Sequence, residues 1–505
     1  MITMKPYPLT ALLLASLLAG GCTMFDSLKL KRTPDSIVKE TKLPANWQAP
    51  LPHAGKLEKL GEFWTQFDDA LLIELIQSAQ NVSSDIAAAK TRIAQARAAR
   101  INQASLSRPS LDATASTSKS KQQPNIIGDG GAGNVAGGTG NAGFGSGAST
   151  STQIGLQSAW ELDLFNVNPI LVASAQKTED AAKASWHEAR VAVAAELASS
   201  YFSHRLCNTQ LAVFAKDLAS RQETARLTAI SIKAGFTPKA SQFLANASVD
   251  DAKQQLNAQQ AQCDATIKEL VALTNLEEPQ LREKLAQQTF LVDNMAAKNL
   301  FQINEIPAQV IAQRPDIARA EAEIVAAAAN LQRGKSAQLP RVSLNGSIGW
   351  AWLSGVGFSG NGAVWSLGPL SVTLPLYDSG KRDAEINSAD AAYEESAINY
   401  RSKVRTAVKE VESALVALHS TEARNRDLQQ AVVGYQASFQ ATEAKVKAGF
   451  ANLLELEESR RLTLQTQTNL INVMLSRTNA WVSLYRAAGG GWQNVAANES
   501  NKGSQ

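Results

Sequence analysis

Val446-Lys447-Ala448-Gly449-Phe450 punctuates a run from Gly380 to Arg486 that contains no proline. Before it, Leu428, Val432, Tyr435, Phe439, Thr442 and Val446 recur at alternating spacings of four and three. After it, Leu464, Thr468, Ile471, Leu475, Thr478, Val482 and Tyr485 do the same. That spacing is the seam of a coiled coil. Glycine readily takes the left-handed conformation that ends one helix and lets the chain reverse. The stretch therefore predicts two long helices zipped antiparallel about Gly449, the incoming arm roughly 100 Å long at ~1.5 Å per residue.

Working outward, the same device occurs earlier in the chain. Ile232-Lys233-Ala234-Gly235-Phe236 repeats it almost letter for letter, after a proline-free run from Ile170. Arg108-Pro109-Ser110-Leu111 pairs with Leu339-Pro340-Arg341-Val342, and Leu164-Phe165-Asn166 with Leu376-Tyr377-Asp378. The chain reads as an internal duplication. Its offset is 231 between the prolines (340 − 109) and 212 at the aromatics (377 − 165), so the first copy carries about nineteen extra residues. The glycine-rich stretch 128–147 accounts for them and reads as a flexible loop. It is a poor phosphate cradle, because no Lys-Ser/Thr closes it and no helix begins where it ends.

Between these helical runs the period changes to two. Leu111, Ala113, Ala115 and Thr117 alternate with polar residues, and Ile154, Leu156, Trp160 and Leu162 alternate with Gln153, Gln157 and Glu161. In the second copy Val342, Leu344, Ile348, Trp350 and Trp352 go out, and Leu370, Val372, Leu374 and Leu376 come back. Both copies thus predict a β-hairpin apolar on one face. Trp365 and Leu367 have the opposite parity to Leu370, which predicts a bulge at Gly368-Pro369. Trp160, Trp350, Trp352 and Trp365 read as an interfacial girdle in a membrane, with core aromatics as the alternative.

The N-terminus has Lys5, an apolar run from Leu9 to Leu18, and Ala19-Gly20-Gly21 before Cys22. This is the pattern of a bacterial lipoprotein signal with a lipidated Cys22, a plain signal peptide being the alternative. Residues 23–61 are punctuated by Pro34, Pro44, Pro50 and Pro52 and read as extended chain. A formal net charge of +3 and the lack of a basic cluster argue against nucleic acid. Four histidines and three cysteines show neither metal spacing nor a nucleophile context, so no enzyme, metal or cofactor is expected. Cys207 and Cys263 lie 28 residues before and 28 after Gly235 (235 − 207, 263 − 235), at one height in an antiparallel hairpin. They are expected to form a disulfide in an oxidising compartment, two free thiols being the alternative.

The landmarks divide the chain into a signal peptide (1–21), a lipid-anchored segment with the first-repeat helix (22–107) and a first β-hairpin with the glycine-rich loop (108–165). A first long helical hairpin with an equatorial segment (166–303), a second-repeat helix (304–338) and a second β-hairpin (339–378) follow. A second long helical hairpin (379–488) and a tail (489–505) end the chain. In lipid an open sheet edge is prohibitive, so a chain with two hairpins needs further copies to close a barrel.

Arg314-Pro315-Asp316-Ile317 with Ala320-Glu321, the exit Leu374-Pro375-Leu376-Tyr377-Asp378-Ser379-Gly380, and Leu484-Tyr485-Arg486-Ala487-Ala488-Gly489-Gly490-Gly491-Trp492 resemble signatures of the TolC-type outer membrane efflux lipoproteins, NodT branch. The resemblance implies an α+β membrane protein: a homotrimer with a twelve-stranded β-barrel, four strands per chain, continued by a coiled-coil α-helical tunnel in the periplasm. It also implies outer-membrane localisation and docking to a periplasmic adaptor, through Gly235, Phe236, Gly449 and Phe450 at the hairpin tips. Behind the adaptor it implies an inner-membrane pump, commonly of the resistance-nodulation-division class. Leu454, Glu455 and Glu458 match the family's periplasmic gate, with glutamate in place of the usual aspartate. Asn166-Val167-Asn168 departs from the family's glycine and basic residues, and Pro238 and Ser241 depart from its first tip. Residues three apart share a helix face, so a trimer converges these carboxylates on its axis; the alternative is a solvated acidic turn answered by Arg460 and Arg461. The function implied is passive efflux of drugs or other small molecules, with type I polypeptide secretion and a structural coiled-coil lipoprotein as alternatives.

Overall fold

A computed structural model describes residues 30–121 (apart from 31, 46 and 50–59), 148–287, 307–355 and 358–491. The signal peptide, Cys22, the glycine-rich stretch 128–147 and the tail beyond Gly491 lie outside the described residues. In chain order the elements are α1 (Pro34–Glu40), a 3-10 helix (Leu60–Phe67), α2 (Ala70–Val82), α3 (Ser84–Ser105), β1 (Ser110–Lys121) and β2 (Ala148–Leu162). Next come α4 (Val167–Lys233), α5 (Ala240–Thr274), α6 (Glu278–Gln287), α7 (Pro307–Ala312) and α8 (Pro315–Ser336). The last are β3 (Arg341–Gly355), β4 (Phe358–Thr373), α9 (Lys381–Lys447) and α10 (Leu453–Ala487).

The duplication extends to element lengths. α3 and α8 have 22 residues each, α4 and α9 have 67 each, and α5 and α10 have 35 each. The offset is 231 at α3 and α8 (315 − 84) but 214 at α4 and α9 (381 − 167), so the first copy holds seventeen extra residues (231 − 214) between these helix starts, against nineteen between the prolines and the aromatics. The difference of two arises because α4 starts two residues after Phe165 and α9 four residues after Tyr377. At the first junction Asn166 itself takes the left-handed conformation (φ 56°), a role asparagine tolerates. Asp163 then accepts from the amides of Val167 (2.9 Å) and Asn168 (2.7 Å) that open α4. In the second copy Ser379 and Gly380 are left-handed, and Asp378 accepts from Gly380 and Arg382.

One compact unit comprises Met1–Thr33, Ala96–Lys177 and Val325–Glu394. Its centre is a four-stranded antiparallel sheet in the order β1-β2-β3-β4. Leu156 pairs with Ile348 and Ile348 with Trp365, while Trp160 pairs with Leu344 and Leu344 with Leu370. These residues share one face, and with Leu111, Ile154, Trp350, Trp352, Leu367 and Val372 they expose a sheet of large apolar side chains. Leu344 faces Leu370 but Gly346 faces Leu367, so β4 carries one extra residue at Gly368-Pro369. This bulge keeps Trp365 and Leu367 on the apolar face. Trp365, opposite Ile348, stands at mid-strand, so a girdle at the strand ends does not include it. The other face is polar, with cross-strand hydroxyl pairs Ser343–Ser371 (2.6 Å) and Ser347–Ser366 (2.8 Å). Gly155 faces Gly349 so closely that a Cβ at Gly155 would lie 2.5 Å from the Ile348 carbonyl oxygen.

The other unit comprises Pro34–Gln95, Thr178–Ile324 and Glu395–Gln505. Its core packs Leu72 and Leu75 of α2 against Leu197, Tyr201 and Phe202 of α4, Leu270 of α5 and Leu281 of α6. Asp69 caps α2 by accepting from the amides of Leu71 and Leu72, and accepts the Tyr201 hydroxyl as well. The segment expected to be extended contains α1, which Pro34 can open because its missing N–H is not needed at a helix start, and which Asp35 favours in its first turn. Further on, Gln48 and Ala49 donate successive amides to the Glu412 carboxylate of α9 (2.7 and 2.8 Å).

Candidate functional site

The two hairpin tips are built alike. Phe236 donates to the Ser231 carbonyl and Gly235 to that of Ile232, both at 3.0 Å, while Gly235 is left-handed (φ 82°). Phe450 donates to Lys445 (2.8 Å) and Gly449 to Val446 (3.1 Å), with Gly449 at φ 79°. This crossed pair satisfies the last helical carbonyls and requires a residue without Cβ strain. The phenylalanine that follows is pushed outward: Phe236 is 86 % and Phe450 84 % exposed.

Beyond the glycines the tips diverge. At the first, Pro238 and Lys239 lead into α5 with no side-chain cap, and Ser241 donates its amide to the Pro238 carbonyl. At the second, Asn452 accepts from the Glu455 amide (2.9 Å) and donates its side-chain amide to the Glu455 carboxylate (2.8 Å), a reciprocal cap. Leu454 in the next position is 69 % exposed. Glu458 lies on the surface bonded to Arg461 (2.6 and 2.9 Å), whose hydrogen bonds hold its carboxyl below the usual range. Within one chain, Leu454, Glu455 and Glu458 thus occupy the open first turns of α10.

The neighbouring Glu457 turns inward to a buried charge cluster missed by the motif reading. Arg221 of α4 donates to Asp217 (2.7 Å), to Ser248 of α5 (2.7 Å) and to Glu457 (3.4 Å). Arg460 of α10 donates to Glu457, Thr224 (2.9 Å) and Ser220 (3.2 Å), and its guanidinium lies 5.5 Å from the Phe439 ring centre of α9. Two arginines answer two carboxylates, as burial of charge demands. Burial raises the Asp217 carboxyl, against the pull of Arg221 and Arg460. The available signal was the pair of intrahelical spacings, Asp217 to Arg221 and Glu457 to Arg460.

Farther from the first tip, Cys207 and Cys263 are joined in a disulfide between α4 and α5. Beside it the buried His204 contacts Thr266 through Nδ1 and Asn208 through Nε2, both at 3.0 Å. Because the Thr266 hydroxyl donates to the Cys263 carbonyl (2.7 Å), Nδ1 is the donor and Nε2 accepts from Asn208, as neutral imidazole requires. Burial and then Arg205 lower this histidine to about 4.

Two of the three sequence signatures, those at Arg314 and at Leu484, converge on one joint. Buried Arg314 donates to both Asp316 oxygens (2.9 and 2.8 Å), to the Ala487 carbonyl at the end of α10 (2.9 Å) and to Glu410 of α9 (2.7 Å). A Cβ on Gly489 would lie 2.6 Å from the Gln313 carbonyl oxygen, and one on Gly490 2.3 Å from Val191. The Gln313 backbone at Gly489 and the Val191 side chain at Gly490 leave no room for a Cβ, and both glycines are left-handed (φ 82° and 61°). Among the described residues no group of His, Cys, Asp and Glu could hold a metal ion.

A chain with an exposed apolar β-face, paired helical hairpins and this joint belongs to the outer membrane efflux protein family, which it matches over residues 75–276 and 306–490. It is 26% identical over 501 residues to the solvent efflux pump outer membrane protein SrpC of Pseudomonas putida, covering 97% of this chain and 98% of that protein. It is 27% identical over 483 residues to nodulation protein T of Rhizobium leguminosarum bv. trifolii, covering 95% and 97%. A membrane protein of Pseudomonas aeruginosa shares the fold with a TM-score of 0.78 at 24% identity, over 92% of this chain and 100% of that one.

Proposed function

We propose that this chain is the outer membrane channel subunit of a tripartite efflux system, a passive duct for drugs or other small molecules. The observation that carries the reading is the sheet of four strands whose one face exposes Trp, Leu and Ile while the other lines up serines and glutamines. A lipid-facing surface with a wet reverse is the pattern of an outer-membrane barrel wall. Among the described residues its edges β1 and β4 have no strand partner, and three copies closing a twelve-stranded barrel satisfy them. Cys22 is lipidated in this reading and anchors the chain in the outer membrane. The exposed Phe236 and Phe450 dock a periplasmic adaptor, which links the tunnel to an inner-membrane pump of the resistance-nodulation-division class.

In the trimer, Leu454, Glu455 and Glu458 of three chains face the axis as a cation-selective gate, because crowded carboxylates attract cations. Single-channel recordings in planar bilayers test both claims. The wild type is expected to be cation-selective with low conductance. Leu454→Ala is expected to raise the conductance, and Glu455→Ala/Glu458→Ala to reduce cation preference. No channel activity at all refutes the duct; unchanged conductance and selectivity in both variants refute the gate.

A further inference from the structure

The four strands carry five charged residues: Asp112, Lys119 and Lys121 on β1, Glu161 on β2 and Arg341 on β3. The register sorts them by face. Asp112 pairs with Gln157 and Gln157 with Ser347, while Glu161 pairs with Ser343, so both acids belong to the polar face. The alternation along β3 puts Arg341 there as well. All three stand in the half of the sheet nearer the helices. Lys119 and Lys121 have the opposite parity: they share the apolar face with Leu111 and Ala113, at the far end of β1, and both are exposed. The charges on the apolar face of these strands are thus two lysines, with no acid on that face to answer them.

Their level follows from the strand geometry. On the apolar face Val342 near the helices and Trp352 near the loops are ten residues apart on β3 (352 − 342). At ~3.4 Å per residue and a tilt of ~40° they are separated by ~26 Å along the membrane normal, the height of the apolar band of a barrel wall. Trp160 marks one border of that band and Trp352 the other. The next row outward is polar: Lys119 pairs with Thr150, Thr150 with Ser354 and Ser354 with Ser359. One ammonium and three hydroxyls therefore cross all four strands in a line ~5 Å beyond Trp352, at the depth of lipid headgroups. Lys121 lies one row farther out, and its flexible stem lets the ammonium bend back to the same layer. The helices leave from the opposite ends of the strands, so in the barrel reading this rim meets the outer leaflet.

We propose that Lys119 and Lys121, with the hydroxyls of Thr150, Ser354 and Ser359, form a binding site for the phosphates of an outer-leaflet lipid headgroup. Lysine binds phosphate as a point charge, and hydroxyls supply further donors to its oxygens. The ligand is a lipid and not free phosphate, because Trp352, Trp350 and Ile348 continue the same face inward and offer a wall for acyl chains. Lysines on an edge strand also discourage wrong sheet pairing. That role accounts for charge on β1, but not for both lysines sharing the apolar face, nor for the hydroxyl row beside them. The proposal rests on the barrel reading above.

The test titrates the full-length protein in detergent with bisphosphorylated lipid A and with its dephosphorylated form, counting bound lipid by native mass spectrometry. The wild type is expected to bind the phosphorylated form about tenfold more tightly, as two lysines near an anionic headgroup would provide. Lys119→Gln/Lys121→Gln is expected to abolish the preference and Lys119→Arg/Lys121→Arg to keep it. Inorganic phosphate at the same concentration is expected not to displace the lipid. A wild type that binds both forms equally, or a glutamine variant that keeps the preference, overturns the headgroup site. Should the glutamine variant aggregate, the wild-type comparison of the two lipids still decides. Displacement by inorganic phosphate overturns the choice of a lipid. Planar-bilayer recordings of the same wild-type preparation separate this proposal from the reading beneath it: a conducting channel with no phosphate preference overturns the site and leaves the barrel standing, and no channel at all overturns both.

Discussion

The two helical hairpins have the same helix lengths and the same glycine turn, but they are locked by different chemistry. α4 and α5 are joined covalently at Cys207–Cys263, and α5 begins without a side-chain cap. α9 and α10 have no such bond; α10 begins under the Asn452 cap and is held to α4 by Arg460 within the charge cluster. The comparison teaches that the backbone plan follows from helix termination and length, which any sequence with the right punctuation reproduces. The cross-links between helices answer to the neighbour each one meets, so they diverged.

The strongest way to break the contrast is to remove the covalent lock. Cys207→Ser is expected to destabilise the first hairpin by about 4 kcal/mol, the chain-entropy value for a loop of this length. Hydrogen exchange should show faster opening of α4 and α5 amides between Cys207 and Cys263, with α9 and α10 little changed. Next comes the ionic lock. Arg460→Ala leaves Asp217 and Glu457 with only Arg221, and the cost of an uncompensated buried charge is about 3 kcal/mol. Thermal unfolding of the purified channel should register it, and Arg460→Ala/Glu457→Leu is expected to recover part of the loss. The smallest effect sharpens the comparison at the tips. Asn452→Ala is expected to cost about 1 kcal/mol as a lost helix cap, visible as fraying of the first turn of α10. Lys239→Ala, at the uncapped start of α5, is expected to leave exchange there unchanged.

Punctuation and periodicity by themselves determined the repeated plan. Gly235 and Gly449 must be the reversals because only glycine enters the left-handed turn without strain. The parity change across Gly368-Pro369 requires a bulge, since a period of two cannot otherwise keep Trp365 and Leu370 on one face. The family signatures were legible as letters, but their reason was not. Arg314 is far in sequence from Ala487 and Gly489, and only packing brings the guanidinium to the end of α10 and the Gln313 carbonyl against Gly489. Heptad spacing likewise marked Leu464 and Ile471, but not that Arg460 and Arg477 are buried on the same helix. Amphipathic patterns score apolar residues, and a buried charge is invisible to them until its counter-charges on another helix are in place. Which acids pair and which stay open was decided in the same way. Glu457 and Glu458 are adjacent glutamates, and only the neighbouring α4 and α5 turn one toward Arg221 and Ser248 and leave the other to solvent and Arg461.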